Sequence, residues 1–213
     1  MEVICFCTYL TDIGSGWRSD DYNAHDFIHA IKDRELNGYA LIPVRGERRR
    51  VDNDNRQDVV GWFAAMVADY FKENHLQQTV ALVPVPGSKC EVKFAGKPRT
   101  TVLADAIAKE LNGATVRDVL RWKTAMPSAN AQGGTREAAT LLKNLVLKGS
   151  VDGAKVMLVD DVLTSGGHLQ ACAALLRQKG AKVRRAVCAG RADDAQPKNP
   201  FAVRVEEQSD FEP

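Results

Sequence analysis

Unbroken apolar runs alternate with amphipathic stretches through the second half of the chain. Residues 79–85 form one such run, ending at Pro84-Val85-Pro86, and residues 156–159 form another with no polar alternation. Runs of this kind predict strands buried on both faces, as in a parallel sheet. Residues 100–111 put Leu103, Ala106, Ile107 and Leu111 on one helical face; Leu169, Cys172, Ala173 and Leu176 do the same within 167–178. Residues 114–120 read as a short strand, 137–147 as a helix or a helix followed by a strand, and 182–189 as a strand. Strands alternating with helices predict an α/β fold whose central, mainly parallel sheet is wound by right-handed crossovers.

The first half is less regular. Residues 3–10 and 39–44 predict strands, and 24–36 a helix. Residues 56–71 predict a strong helix with Val59, Trp62, Phe63, Met66, Val67, Tyr70 and Phe71 on one broad face. Those aromatics read as core rather than as a base-stacking platform. Arg48-Arg49-Arg50, followed by Asp52 and Asp54, reads as a solvated turn between strand and helix; an anion or nucleic-acid contact is the alternative. Residues 121–136 are polar, contain glycine and are long for a connection, which points to a functional loop. From Asp193 onward the chain is polar and contains proline, as an irregular or partly ordered tail does. The expected division is an N-terminal α/β hood at 1–76, a core at 77–192 and a tail at 193–213.

Composition narrows the class. With 213 residues the chain suits one domain, or one with a sizeable addition. A net charge of +2 carries no general nucleic-acid signal. No apolar run reaches the roughly 18 residues that a membrane helix needs. The first residues lack the basic and long apolar regions of a secretory signal. The five cysteines are scattered without zinc spacing, and Cys172 and Cys188 fall in apolar patterns as core thiols. A reducing cytoplasm is the expected compartment.

The chemistry concentrates after residue 159. Asp160 and Asp161 close the apolar strand, and ligands of open α/β sheets sit at such carboxyl ends. Paired carboxylates accept hydrogen bonds from vicinal hydroxyls or hold a hydrated Mg2+, and they repel each other until something separates them. Thr164-Ser165-Gly166-Gly167 then offers hydroxyls and glycine turns at the start of a helix, whose unpaired N–H groups and dipole suit an anion. Diol-binding acids beside a phosphate cradle fit a ribose 5-phosphate. A second turn, Gly87-Ser88-Lys89, follows the first strand, with glycine for close approach and lysine for charge.

Residues 159–167, Val-Asp-Asp-Val-Leu-Thr-Ser-Gly-Gly, resemble the phosphoribosyl-pyrophosphate (PRPP) signature of type I phosphoribosyltransferases. The resemblance implies that family's fold. It assigns the ribose hydroxyls to Asp160 and Asp161, and the 5-phosphate to Thr164, Ser165, Gly166, Gly167 and His168. His168 stands where the family usually has a hydroxyl residue. Thr164 stands where members acting on 6-oxopurines carry an Asp, which turns the expectation away from hypoxanthine and guanine. Gly87, Ser88 and Lys89 occupy the pyrophosphate position. Val83 to Pro86, residues 103–108 and residues 120–124, with Gln132 and Arg136, look like the competence-associated ComF branch over about residues 79–190. That branch's four-cysteine zinc module has no counterpart in the sequence, and its Arg-Gly-Phe-Asn motif is replaced by residues 94–99, Phe-Ala-Gly-Lys-Pro-Arg.

The implied activity is Mg2+-dependent transfer of ribose 5-phosphate from PRPP to a small nitrogen acceptor, a nucleobase among the candidates, with release of pyrophosphate. Asp160 and Asp161 are the expected catalytic acids. Arg121, Lys123 and Arg136, on a loop that closes over PRPP, would neutralise the leaving group. Mg2+ is expected mainly through PRPP oxygens, with Asp160 or Asp161 reaching it through water. A PRPP-binding regulator without transfer and a nucleic-acid-handling accessory are the alternatives. No membrane partner is expected, and a homodimer is left open.

Overall fold

The computed structural model describes residues 1–12, 16–126 and 137–211. In chain order its elements are strands β1 (Glu2–Cys5) and β2 (Thr8–Leu10), helix α1 (Ser19–Ile31), strands β3 (Ala40–Val44) and β4 (Glu47–Val51), and helix α2 (Val59–Glu73). Strand β5 (Ala81–Pro84), helix α3 (Arg99–Glu110), strands β6 (Thr115–Val116) and β7 (Leu120–Trp122), helix α4 (Ala138–Asn144) and strand β8 (Leu145–Leu147) follow. The chain continues with β9 (Lys155–Leu163), α5 (Gly167–Gln178), β10 (Lys182–Asp193) and β11 (Arg204–Glu207).

The two apolar runs become neighbours at the centre of one sheet, ordered β11-β1-β10-β9-β5-β6, with β2 also on β10. Every pairing in it is parallel except β1 with β11 at the edge. The fold is therefore α/β with a mainly parallel sheet flanked by helices, as the alternation predicts. Strand side chains alternate between faces, so each run feeds two cores. Leu82, Met157, Val159 and Val187 pack with α1, α2, α3 and the β3–β4 hairpin. Val83, Val156, Leu158 and Cys188 pack with α4, α5 and the β7–β8 hairpin. The broad face of α2 is core, with Val59, Phe63, Val67 and Phe71 buried and Trp62, Met66 and Tyr70 against them.

Four sequence expectations are corrected or narrowed. Arg48, Arg49 and Arg50 lie in strand β4, not in a turn. Arg45 and Gly46 both take positive φ (52° and 79°), the two-residue reversal that matches strand twist, so the arginines return alongside Leu41 to Pro43. The polar stretch after Asp193 is not wholly irregular: β11 adds to β1, held by Arg204 to Asp193 at 2.8 Å and to Glu206 at 2.7 Å. Arg121 opens no loop, because Leu120–Trp122 is strand paired with Leu145–Leu147. The run predicted as one strand over 3–10 divides at Phe6 and Cys7, whose N–H groups still donate to Cys188 and Ala189 carbonyls on β10.

Helix α1 is set down close to the carboxyl end of β10. Gly190 permits this approach: a Cβ there would meet Ile28 Cδ1 at 2.6 Å and Cys7 Sγ at 3.1 Å. The far end of α1 is pinned by Asp21, which accepts from the Arg18 N–H at 2.7 Å and from Gln196 Nε2 at 2.6 Å. The last turn of α1 and the residues after it consequently overhang the carboxyl edge of the sheet.

Candidate functional site

A cleft of about 800 Å3 lies along that edge. It gathers the ends of β9, β10 and β5, the starts of α3 and α5, and the overhang of α1. Asp160, Asp161, Thr164, Ser165 and His168 line it together with Gly87 and Ser88. The two sequence-predicted turns thus meet in one cavity, 77 positions apart by the numbers of Gly87 and Thr164.

The acid pair divides because neighbouring strand residues alternate in direction. Asp161 faces Arg99 at the start of α3, carboxylate to guanidinium at 3.5 Å. Asp160 is more enclosed, and its Oδ1 accepts the Asp161 N–H at 2.8 Å. Burial pushes the Asp160 carboxyl well above the ordinary carboxylate range, and the charge of Asp161 adds to the shift. Burial also lowers Lys32 from the usual lysine value, with Asp161 and Asp160 opposing that shift.

The turn after β9 is shaped for an anion. Gly166 has φ +84° and caps α5, a left-handed conformation that favours glycine. No side chain caps α5 and no acid occupies its first turn, so its leading N–H groups face the cleft without a competing carboxylate. Arg191, itself on the cleft wall, braces the turn. It donates to the Thr164 carbonyl at 2.9 Å and pairs with Glu206 at 2.9 Å. Trp122 links the two turns: its indole N–H donates to the Gly87 carbonyl at 3.0 Å, and its ring meets His168 edge to face at 5.7 Å. On the other side, Thr100 Oγ1 donates to the Val85 carbonyl at 2.7 Å and fixes the start of α3 against the end of β5.

Other sequence-predicted residues lie elsewhere. Lys89 is exposed and does not line the cleft. Arg121 forks onto Asp118, with Nη2 to Oδ2 at 2.9 Å, and Lys123 donates to the Lys143 carbonyl at 2.6 Å; neither reaches the cleft wall. Gln132 and Arg136 fall outside the described residues. Residues 39–46 form β3 and the turn into β4, and none of them lines the cleft.

The opposite wall carries Tyr9, Thr11, Lys32 and Arg34, with Arg99 and Arg191 flanking the acids. No local signal marks the first four in the sequence, since they come from the end of β2 and the turn after α1. Arg191 had a weak one: it follows Gly190 in an apolar run that continues past residue 189. Among the described residues no cluster of three or more metal-ligating side chains exists.

The carboxyl edge of the sheet thus brings two carboxylates, an uncapped helix start and a second glycine turn to one cleft. The chain belongs to the phosphoribosyl transferase domain family, whose profile matches residues 99–212. Solved structures of phosphoribosyltransferases resemble it at low identity. A hypoxanthine phosphoribosyltransferase from Staphylococcus aureus is 10% identical over 67% of this chain and 70% of that one, with a TM-score of 0.39. That of Trypanosoma cruzi is 16% identical over 67% of each chain, with a TM-score of 0.40. A purine phosphoribosyltransferase from Pyrococcus horikoshii is 12% identical over 61% of this chain and 80% of that one, at 0.35. No curated protein matches the sequence.

Proposed function

We propose that this protein binds PRPP in the cleft and transfers its phosphoribosyl group to a nitrogen acceptor. One observation carries the reading: the acid pair and the uncapped start of α5 open into the same cleft as the Gly87-Ser88 backbone. The 5-phosphate takes the N–H and hydroxyl groups of Thr164, Ser165, Gly166, Gly167 and His168. The ribose diol donates to Asp160 and Asp161, and pyrophosphate lies on Gly87 and Ser88. Arg99 supplies positive charge from the cleft wall, and Lys89 from beside it. Arg121 and Lys123 join only after leaving Asp118 and the Lys143 carbonyl.

The C1–O bond breaks with its electron pair on pyrophosphate, while the acceptor nitrogen supplies the pair for the new C1–N bond and loses its proton to solvent. No protein nucleophile is needed; positioning and electrostatics do the work. The hard oxygens of Asp160 and Asp161 would suit Mg2+, reached through water. Bound there, the ion would neutralise charge on the departing pyrophosphate.

The acceptor lies against Tyr9, Thr11, Lys32 and Arg34. Residues 1–76 thus act as the acceptor-selecting cover, 77–192 as the transferase core, and 193–213 as the closure of the sheet edge. Hypoxanthine, named for the S. aureus and T. cruzi enzymes, is not the expected acceptor, because Thr164 replaces the Asp of 6-oxopurine members. Membership of the ComF branch rests on the sequence segments quoted above. A nucleic-acid role has less support: Arg48 forks onto Asp20 at 2.8 and 3.2 Å, and Arg50 pairs with Asp52 and covers Tyr39 at 4.4 Å. Five free, buried cysteines support a cytoplasmic location, and among the described residues no helix is long and apolar enough to cross a membrane.

Pyrophosphate release from PRPP and MgCl2, measured over a panel of nucleobases and other nitrogen heterocycles, tests the proposal. Release with one acceptor supports transfer. Calorimetric binding of PRPP without release over the whole panel would make the protein a PRPP-responsive regulator, and absence of PRPP binding would remove both readings.

A further inference from the structure

A second concavity, of about 230 Å3, lies at the opposite end of the sheet. It sits between the amino-terminal ends of β9 and β10 and the last turn of α2. Lys155 and Asp161 are six positions apart on β9, which at about 3.3 Å per residue places the two sites roughly 20 Å from each other. Its floor is apolar, with Phe71, Val80 and Met157 drawn from one hydrophobic cluster.

The rim is cationic in a way the fold does not require. Lys155 and Lys182 stand directly opposite each other in the parallel β9–β10 register. Like charges in facing positions destabilise a sheet. The register shifts between Val183 and Arg185, so Arg184 is a bulge residue, re-aimed onto the same rim. Among the described residues none of Lys155, Lys182 and Arg184 pairs with a carboxylate. Lys155 donates to the neutral Gln77 Oε1 at 3.3 Å, whereas the adjacent Arg185 is paired with Glu2 at 2.8 Å. Three converging cations without a counter-charge repel one another until an anion joins them.

We propose that this pocket binds a small amphipathic anion: a ring on Phe71, Val80 and Met157, with a phosphate, sulfonate or carboxylate held by Lys155, Lys182 and Arg184. A concave apolar floor suits a compact ring, whereas a nucleic-acid backbone follows an extended cationic surface. The assignment does not depend on the transferase reading.

Calorimetry on the full chain tests it, with naphthalene-1-sulfonate as probe and inorganic phosphate as the ringless control, each with and without saturating PRPP. The probe is expected to bind one site irrespective of PRPP, and phosphate about tenfold more weakly. Exposed Lys182 and Arg184 allow a double variant, Lys182→Ala with Arg184→Ala, that keeps its far-UV circular dichroism and loses about tenfold or more in probe affinity. Absence of saturable binding up to millimolar probe, displacement by PRPP, or unchanged affinity in the double variant would overturn the assignment. So would a single-stranded oligonucleotide that binds more tightly than the probe and loses affinity in the same variant, since the rim would then serve nucleic acid.

Discussion

Asp160 to His168 and the wall of Tyr9, Thr11, Lys32 and Arg34 face one another across one cleft, yet the chain specifies them differently. The first is one continuous segment, the end of β9, a turn and the start of α5. Its groups meet because covalent neighbours must. The second is assembled from distant segments. Tyr9 arrives because β2 pairs with the end of β10, Tyr9 opposite Ala192. Lys32 and Arg34 arrive because Gly190 lets α1 lie close to the sheet. A contiguous site is suited to a constant ligand, here the donor. A wall built from separate segments can vary its residues without disturbing the donor site, and so is the natural place for acceptor choice.

The largest expected effect strikes the contiguous side. Asp161→Asn removes the charge that faces Arg99 and, on the proposed reading, one acceptor for the ribose diol. Loss of one such electrostatic contact costs on the order of 10²–10³-fold in turnover. Calorimetry with PRPP and steady-state pyrophosphate release measure it. Affinity for PRPP within twofold of the parent protein would remove Asp161 from the donor site.

What the sequence revealed follows the same division. Helix α5 spans Gly167–Gln178, as the periodicity predicts, and β9 contains the apolar run but continues past both acids to Leu163. Periodicity and a glycine turn are local signals, so they survive without tertiary knowledge. Strand β3 was predicted, but its partner β4 was missed because Arg45-Gly46 is not one of the strongest two-residue turn pairs, and three consecutive arginines mask strand alternation. Strand β11 was missed because an edge strand of Arg204, Glu206 and Glu207 has the composition of a loop. The engagement of Arg121 depends on Asp118 across a tight bend, and that of Lys123 on a carbonyl twenty positions away. Neither partner can be inferred from a basic loop pattern.

A smaller effect is expected on the assembled wall. Arg34 is exposed, follows α1 and lines the cleft. Arg34→Ala should raise the KM for the productive acceptor about tenfold, the scale of one lost polar contact of roughly 1.4 kcal/mol. Its affinity for PRPP should stay within about twofold. An equal loss of PRPP affinity would show that donor and acceptor sites are not divided between the two walls.

Asp160→Asn sharpens the contrast within the acid pair itself. The Asp160 carboxyl is raised by burial and then by Asp161, so its neutral form is the one the fold favours. A raised folded value contributes stability that is complete below the unfolded value of about 3.9 and is lost as pH rises through the folded value. At neutral pH the ionised group is therefore a cost to the unliganded protein. Asparagine keeps the shape without the charge, and the variant should be more stable at pH 7 by about 1 kcal/mol, within the range of relieved functional-site strain. That advantage should close as the pH falls toward the unfolded carboxylate range, while PRPP affinity falls at every pH. Denaturant melts at pH 4.5 and pH 7 measure the difference. A variant less stable than the parent at pH 7 would mean that Lys32 and Arg99, both of which lower the Asp160 value, already compensate its charge before substrate arrives.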